Sequence, residues 1–259
     1  MTVDVDVYDN TMPEDFRAKV LDYINAQEWI ATWKPFNSYA TFYTPETETF
    51  MKNSHKHMTA RAPHMFMHRC GLAREEDELK EKHPIIGQLW DSINSTLGNR
   101  YELKGPPEGI AQLEHPSTPY ESDDRGWRVY CNGQLDETIK RSHGVHKDTK
   151  DLTDPYTRTI LYVANLVWYP TWFAECVYYP DDVEGITGDR QQYHTKFGVQ
   201  SRDFPVGWAE KIVSPVPGRI ISYDGRTLHT TRPTAVWAEG IRKVIAFRAR
   251  LKPEFQEPK

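Results

Sequence analysis

The sequence predicts a mainly β chain with N-terminal α-helices, built around a double-stranded β-helix, the cupin-like jelly roll of two facing sheets. Three observations predict it. From about residue 109 onward, short runs rich in β-branched and aromatic residues recur, separated by Pro, Gly and Asp. The 8 Trp and 14 Tyr suit half-buried pleated surfaces. Before residue 100 the apolar residues repeat with a helical period instead.

Taken in order, Thr11-Met12-Pro13-Glu14 reads as a capping box with Pro in the first turn. Phe16, Val20, Tyr23 and Ile24 then mark one helical face. Residues 36–70 are irregular and rich in aromatics and His, and 73–82 read as a charged, solvated helix. Ile86, Leu89, Trp90, Ile93 and Leu97 recur at helical spacing, and Gly98 offers a C-cap. Residues 1–100 are therefore expected to be mostly helical. The strand candidates are Gly109–Glu114, Trp127–Asn132, Thr157–Val167, Phe173–Tyr179, Lys211–Val213, Arg219–Tyr223 and Arg242–Leu251. Many short strands of this kind suit a jelly roll with its site in the barrel mouth. Residues 180–210 are long, polar and without a period, the signature of a functional lid or a disordered loop.

A length of 259 residues fits a single domain, with 1–108 as helical support and 109–252 as the jelly-roll core. A net charge of -5, with Lys and Arg scattered along the chain, gives no electrostatic footprint for nucleic acid. Three widely spaced cysteines, Cys70, Cys131 and Cys176, make no disulfide framework. The polar, acidic start does not read as a signal peptide, and no apolar run is of membrane-spanning length. A reducing, cytoplasmic setting is expected, which also suits ferrous iron. The cluster His55, His57, His64, His68 and Cys70 lacks the spacing of a zinc site and reads as a His-rich loop.

Function is carried by His146-Lys147-Asp148, a distant His229, and Arg242 thirteen residues beyond it. Residues i and i+2 of a strand point to one side, so His146 and Asp148 can hold one metal, with His229 as the third ligand. Three protein ligands on one face of an octahedral ion leave three positions open, the arrangement of non-haem iron oxygenases. A structural zinc site would close its coordination with four protein ligands.

Roughly residues 109–250 resemble the iron(II)/2-oxoglutarate-dependent oxygenases, in their prolyl 4-hydroxylase-like branch. The matching stretches are His146-Lys147-Asp148, Ile160 to Asn165, Trp172-Phe173-Ala174-Glu175, Pro217 to His229 and Gly240 to Ile245. The resemblance implies His146, Asp148 and His229 as iron ligands, and Arg242 as the partner of the distal carboxylate of 2-oxoglutarate. It also implies Tyr130 as a residue lining the co-substrate pocket. The implied cofactors are Fe(II), 2-oxoglutarate and O2. The implied reaction oxidises a substrate while releasing succinate and CO2. The chain departs from the pattern where His143 replaces a tyrosine, Val163 a second pocket tyrosine, and Phe173 and Ala174 the two glycines before Glu175. Asp148 fills the place that halogenases of the superfamily leave for chloride, so hydroxylation is the expected chemistry.

Strand alternation places Arg242, Val244, Ala246 and Arg248 on one face, and Arg128 beside Tyr130 on another strand. If that face is interior, Arg128 and Arg248 need partners. These are a protein carboxylate or the anionic group of a small, amino-acid-like substrate. A small-molecule substrate is thus favoured over a peptide. The alternatives are a prolyl or peptidyl hydroxylase of the same superfamily, a cupin-like metal enzyme needing no oxoacid, and a non-catalytic jelly-roll binding module. The sequence leaves open the substrate, the position oxidised, hydroxylation against desaturation or cyclisation, and the oligomeric state.

Overall fold

A computed structural model describes residues 3–27, 30–34, 65–103, 128–134, 148, 154–180, 209–232, 234–235, 237–239 and 241–257. The described residues form eleven strands, all paired antiparallel, and three α-helices. The strands are β1 (Val5–Tyr8), β2 (Ile30–Lys34), β3 (Met65–Ala73), β4 (Tyr101–Glu102), β5 (Val129–Gln134), β6 (Thr157–Val163), β7 (Cys176–Tyr179), β8 (Lys211–Val213), β9 (Ile220–Asp224), β10 (Leu228–Thr231) and β11 (Arg242–Leu251). The helices are α1 (Glu14–Asn25), α2 (Glu76–Lys82) and α3 (Pro84–Thr96). An eight-stranded sheet runs β1-β9-β6-β11-β5-β3-β2, with β4 also on β11, and a three-stranded sheet runs β10-β7-β8.

The large sheet is covered on both faces, and its side chains alternate accordingly. On one face Val20 and Ile24 of α1, Leu79 of α2, and Ile86, Leu89, Trp90 and Ile93 of α3 pack against Val129, Cys131, Ile160, Tyr162, Ile220, Ile245 and Phe247. Trp90 stacks on Phe247 with ring centroids 5.4 Å apart. On the other face Val5, Ile221 and Tyr223 meet Cys176, Tyr178 and Val213 of the small sheet. The odd–even change along β9, Ile220 to the helices and Ile221 to the small sheet, is the period-2 rule at work.

The helical spacing read for α3 holds, and the chain ends that helix through Gly98 at φ 76, where an L side chain would be strained. The charged helix α2 buries only Leu79. Two expectations change. Among the described residues the first hundred are not mostly helical: β1, β2 and β3 join the large sheet, β1 on β9 and β3 on β5. The capping box does not form. α1 starts at Glu14 with Pro13 as its N-cap, and the buried Thr11 hydroxyl has no partner among the described residues.

Of the strand candidates, Lys211–Val213 and Arg242–Leu251 keep their bounds. The candidate starting at Thr157 stops at Val163, and the one ending at Tyr179 starts at Cys176. Phe173 and Ala174 stand at φ 59 and 64, where an extended strand cannot continue. The strand β10 was not read from the sequence. Gly109–Glu114, His55, His57, His64, His143, His146 and nearly all of 180–210 lie outside the described residues.

Candidate active site

The site lies between the two sheets. The β9–β10 turn builds its first half. Asp224 accepts a hydrogen bond from the Arg226 backbone N–H at 2.8 Å, and its carbonyl accepts from Thr227 N–H at 2.9 Å. This tight turn delivers His229, which is 6% exposed. Nδ1 of His229 lies 2.9 Å from the Thr227 carbonyl. A carbonyl only accepts, so Nδ1 carries the proton and Nε2 is the nitrogen left to face the site.

Facing it is Asp148. Its backbone N–H donates to Gly225 O at 2.8 Å, which fixes the residue to the same turn. Asp148 Oδ2 lies 3.5 Å from His229 Nε2. The Tyr223 hydroxyl donates to that oxygen at 2.7 Å and lies 3.1 Å from Nε2. Thr159 Oγ1 donates to Oδ2 at 2.8 Å. Arg248 donates to Oδ1 at 2.7 Å and also pairs with Oδ2. Burial works against the Arg248 charge, but Asp148 holds its pKa well above the usual value. Burial first, and the Asp148 carboxylate second, keep Tyr223 well above the ordinary phenol range. Tyr223 is therefore a neutral donor at physiological pH.

The second half of the site is set by β11. Its register against β5 and β6 is unbroken between residues 242 and 248, so Arg242, Val244, Ala246 and Arg248 share one face, as alternation predicts. Asn165 fixes the start of the strand. Its side chain donates to Ile241 O at 2.9 Å and accepts from Lys243 N–H at 2.7 Å, bracketing Arg242. Arg242 is 5% exposed. Its guanidinium donates to Cys176 Sγ at 3.4 Å, and its Nε has no partner among the described residues. The Tyr178 hydroxyl is likewise buried, close to Cys176. Its pKa is raised well above 10 by burial and then by Cys176, with the Arg242 charge acting the other way. Tyr178 packs on Tyr223 at 5.0 Å and stacks on His229 at 6.0 Å, linking the two halves.

The structure thus brings together four of the residues expected from the sequence: Asp148, His229, Arg248 and Tyr130. The Tyr130 hydroxyl accepts from Arg248 at 2.6 Å, which puts it at the Asp148 end and not beside Arg242. Arg128 faces Arg248 across the β5–β11 pair. Arg242 forms the other end with Cys176 and Tyr178, and His146 lies outside the described residues. Among the described residues no group of three or more His, Cys, Asp or Glu is placed to hold a metal. Tyr223, Tyr178, Thr159 and Cys176 were not singled out from the sequence. Tyr223 sits in Ser222-Tyr223-Asp224-Gly225, inside a stretch that was.

No family model and no curated protein matches this sequence. Solved structures of one protein share its fold at TM-scores above 0.5. HygX from Streptomyces hygroscopicus, crystallised with nickel and 2-oxoglutarate bound, is 12% identical over 97% of this chain and 84% of that one, with a TM-score of 0.54. The same protein with nickel, 2-oxoglutarate and hygromycin B bound gives 12% identity over the same shares and a TM-score of 0.52. The viral collagen prolyl hydroxylase of Paramecium Bursaria Chlorella virus-1, in its 2-oxoglutarate complex, aligns over 96% of each chain at 10% identity and a TM-score of 0.42. The likeness to HygX, at 12% identity, is a likeness of fold.

Proposed function

We propose that this chain is an Fe(II)- and 2-oxoglutarate-dependent dioxygenase that hydroxylates a small-molecule substrate and releases succinate and CO2. The single observation that carries the reading is the convergence of Asp148 and His229. The imidazole presents Nε2 to a carboxylate that the fold has already ordered. The donor set fits the group it would hold: one carboxylate and one imidazole, with His146 as the third ligand, suit ferrous iron. The bound metal and oxoacid would supply the activation of dioxygen.

The chain's own residues orient and neutralise. Thr227 fixes the His229 tautomer, the kind of support that orients metal-bound histidines generally. Thr159, Tyr223 and Arg248 hold the Asp148 carboxylate in one rotamer. Arg242, buried with an Nε that has no partner among the described residues and close to the buried Tyr178, fits the distal carboxylate of 2-oxoglutarate. A buried guanidinium is costly until an anion completes it, and its planar fork takes a carboxylate bidentately. The two packed antiparallel sheets, with the site between them, support a jelly-roll core in a single domain. HygX was crystallised with hygromycin B bound, which supports a small-molecule substrate.

The test is anaerobic loading with Fe(II), followed by 2-oxoglutarate and oxygen. Succinate should form in proportion to 2-oxoglutarate consumed, and chloride in the buffer should yield no chlorinated product. Iron uptake without succinate would point to a cupin-like enzyme needing no oxoacid. No iron uptake would point to a binding module.

A further inference from the structure

The site described above leaves one charged group unaccounted for. Arg128 and Arg248 are directly opposed: Arg248 N–H donates to Arg128 O at 2.7 Å, one step beyond the Phe247–Val129 pair. Opposed residues of antiparallel strands point to the same face, so two guanidinium side chains emerge side by side. Like charges in that position are destabilising. Arg248 is compensated by Asp148, with Thr159 and Tyr130 as further partners. Arg128 is not. Its side chain makes no hydrogen bond or ion pair among the described residues, and its Nε is buried without a partner. Its pKa is lowered by burial and then by the Arg248 charge. Among the described residues, one carboxylate thus stands at this end against two arginines, and it pairs with Arg248 alone. In the oxygenase reading the same carboxylate also serves a divalent metal, which deepens the deficit of negative charge at this end.

We propose that Arg128 and Arg248 form the subsite for an oxyanion of the substrate, so that the substrate is a small acid carrying a carboxylate or a phosphate. This rests on the oxygenase reading for its identification of the anion as the substrate's. The subsite lies at the Asp148 end of β11. Arg242 lies six residues away along the strand, a separation of about 20 Å at roughly 3.3 Å per residue. The co-substrate's distal carboxylate and the substrate's oxyanion thus have separate arginines at opposite ends of one face. The Tyr130 hydroxyl, already on Arg248, closes one side of the subsite.

The experiment titrates acetate and, separately, inorganic phosphate into the full-length protein saturated with nickel and 2-oxoglutarate, read by calorimetry. Wild type should bind at least one of them saturably, and the tighter of the two identifies the oxyanion. Arg128→Met should weaken that binding at least tenfold, and Arg128→Lys by less, since it keeps the charge but loses the fork. Arg248 is left intact because its loss would also release Asp148. If Arg128→Met fails to fold, as judged by circular dichroism, the Lys variant carries the comparison. Wild type binding neither anion, or both variants binding as wild type does, would overturn the proposal. Nickel and 2-oxoglutarate binding are measured first. Their failure sinks the oxygenase reading, and the anion titration on the metal-free chain still decides whether Arg128 holds an anion.

Discussion

Asp148 and His229 are both expected metal ligands, but their substitution should have unequal consequences, because their neighbours differ. Asp148 is the counter-charge of Arg248, whose side chain is 23% exposed against 4% for Asp148. Removing the carboxylate strands that guanidinium, a loss on the order of 2–5 kcal/mol for a hydrogen-bonded charge pair, at the low end here because Arg248 reaches solvent. Asp148→Ala should therefore lower the melting temperature of the metal-free protein as well as abolish metal binding. His229→Ala should abolish metal binding with a smaller thermal penalty. Equal melting temperatures of the two metal-free variants would show that Arg248 does not depend on Asp148. Asn165 makes a subtler case. It touches neither expected ligand, yet its two hydrogen bonds fix the backbone on both sides of Arg242. Asn165→Ala should weaken 2-oxoglutarate binding by about tenfold, roughly 1.4 kcal/mol, while nickel affinity stays near wild type. Arg242→Ala should weaken it further, by about 2 kcal/mol or more. Nickel affinity falling as far as 2-oxoglutarate affinity in Asn165→Ala would mean that the residue acts on the whole fold.

Turns carry the strain at the scale of elements. Gly218, in the Pro217-Gly218-Arg219 stretch that leads into β9, has φ 77, and a Cβ there would meet Arg17 Cδ of α1 at 3.0 Å. Gly218→Ala should destabilise the protein by about 1–2 kcal/mol from the left-handed conformation alone. That is a drop in melting temperature of about 3–6 °C for a domain of this size. An unchanged melting temperature would mean that the turn relaxes at no cost. Phe173 and Ala174 occupy positive φ without being glycines, in the segment where the family pattern has two. The sequence flagged these positions as departures. It could not show that the backbone keeps the glycine conformation under bulkier side chains. The same division runs through the whole molecule. α3 was legible because one helical period spans it and one face is buried, and β11 because ten residues rich in β-branched, aromatic and alternating positions are covered on both faces at their centre. β1 was hidden because Val5 to Tyr8 alternate charge with apolar residues in only four positions, and their pairing with β9 lies more than 200 residues away. β10 was hidden because Leu228–Thr231 is short and follows a turn of polar residues. At the site, the spacing of Asp148, His229 and Arg242 was readable, but Tyr223 and Tyr178 look like core aromatics in sequence. Only the folded chain shows the Tyr223 hydroxyl on Asp148 and the Tyr178 hydroxyl buried beside Cys176.

Across the molecule as a whole, stability should fall at both ends of the pH range, for reasons that differ in sign. His83, half-buried against Tyr23, has its pKa lowered from 6.5 chiefly by burial. The unfolded chain takes up that proton first, so stability is full above 6.5 and is lost as pH falls through the folded value. Asp9, held low by Arg219, and Glu78, held low by the Arg74 backbone and Lys82, add a second loss below about 4. At the alkaline end the buried tyrosines act. Burial raises Tyr162 and Tyr179 to about 12, above the ordinary value of 10.0. A raised folded pKa means that the contribution is intact below 10 and is lost as pH rises from 10 towards 12. Each such group contributes on the order of 2–3 kcal/mol. Tyr162 permits a clean test, because its buried hydroxyl has no hydrogen-bond partner among the described residues and can be removed without stranding another of them. Tyr162→Phe should match or exceed wild type at pH 8. At pH 11 it should melt several degrees higher, having lost an ionisation that favours the unfolded chain. Parallel melting curves for the two proteins from pH 8 to pH 11 would show that Tyr162 ionises as readily in the folded protein as in the unfolded one.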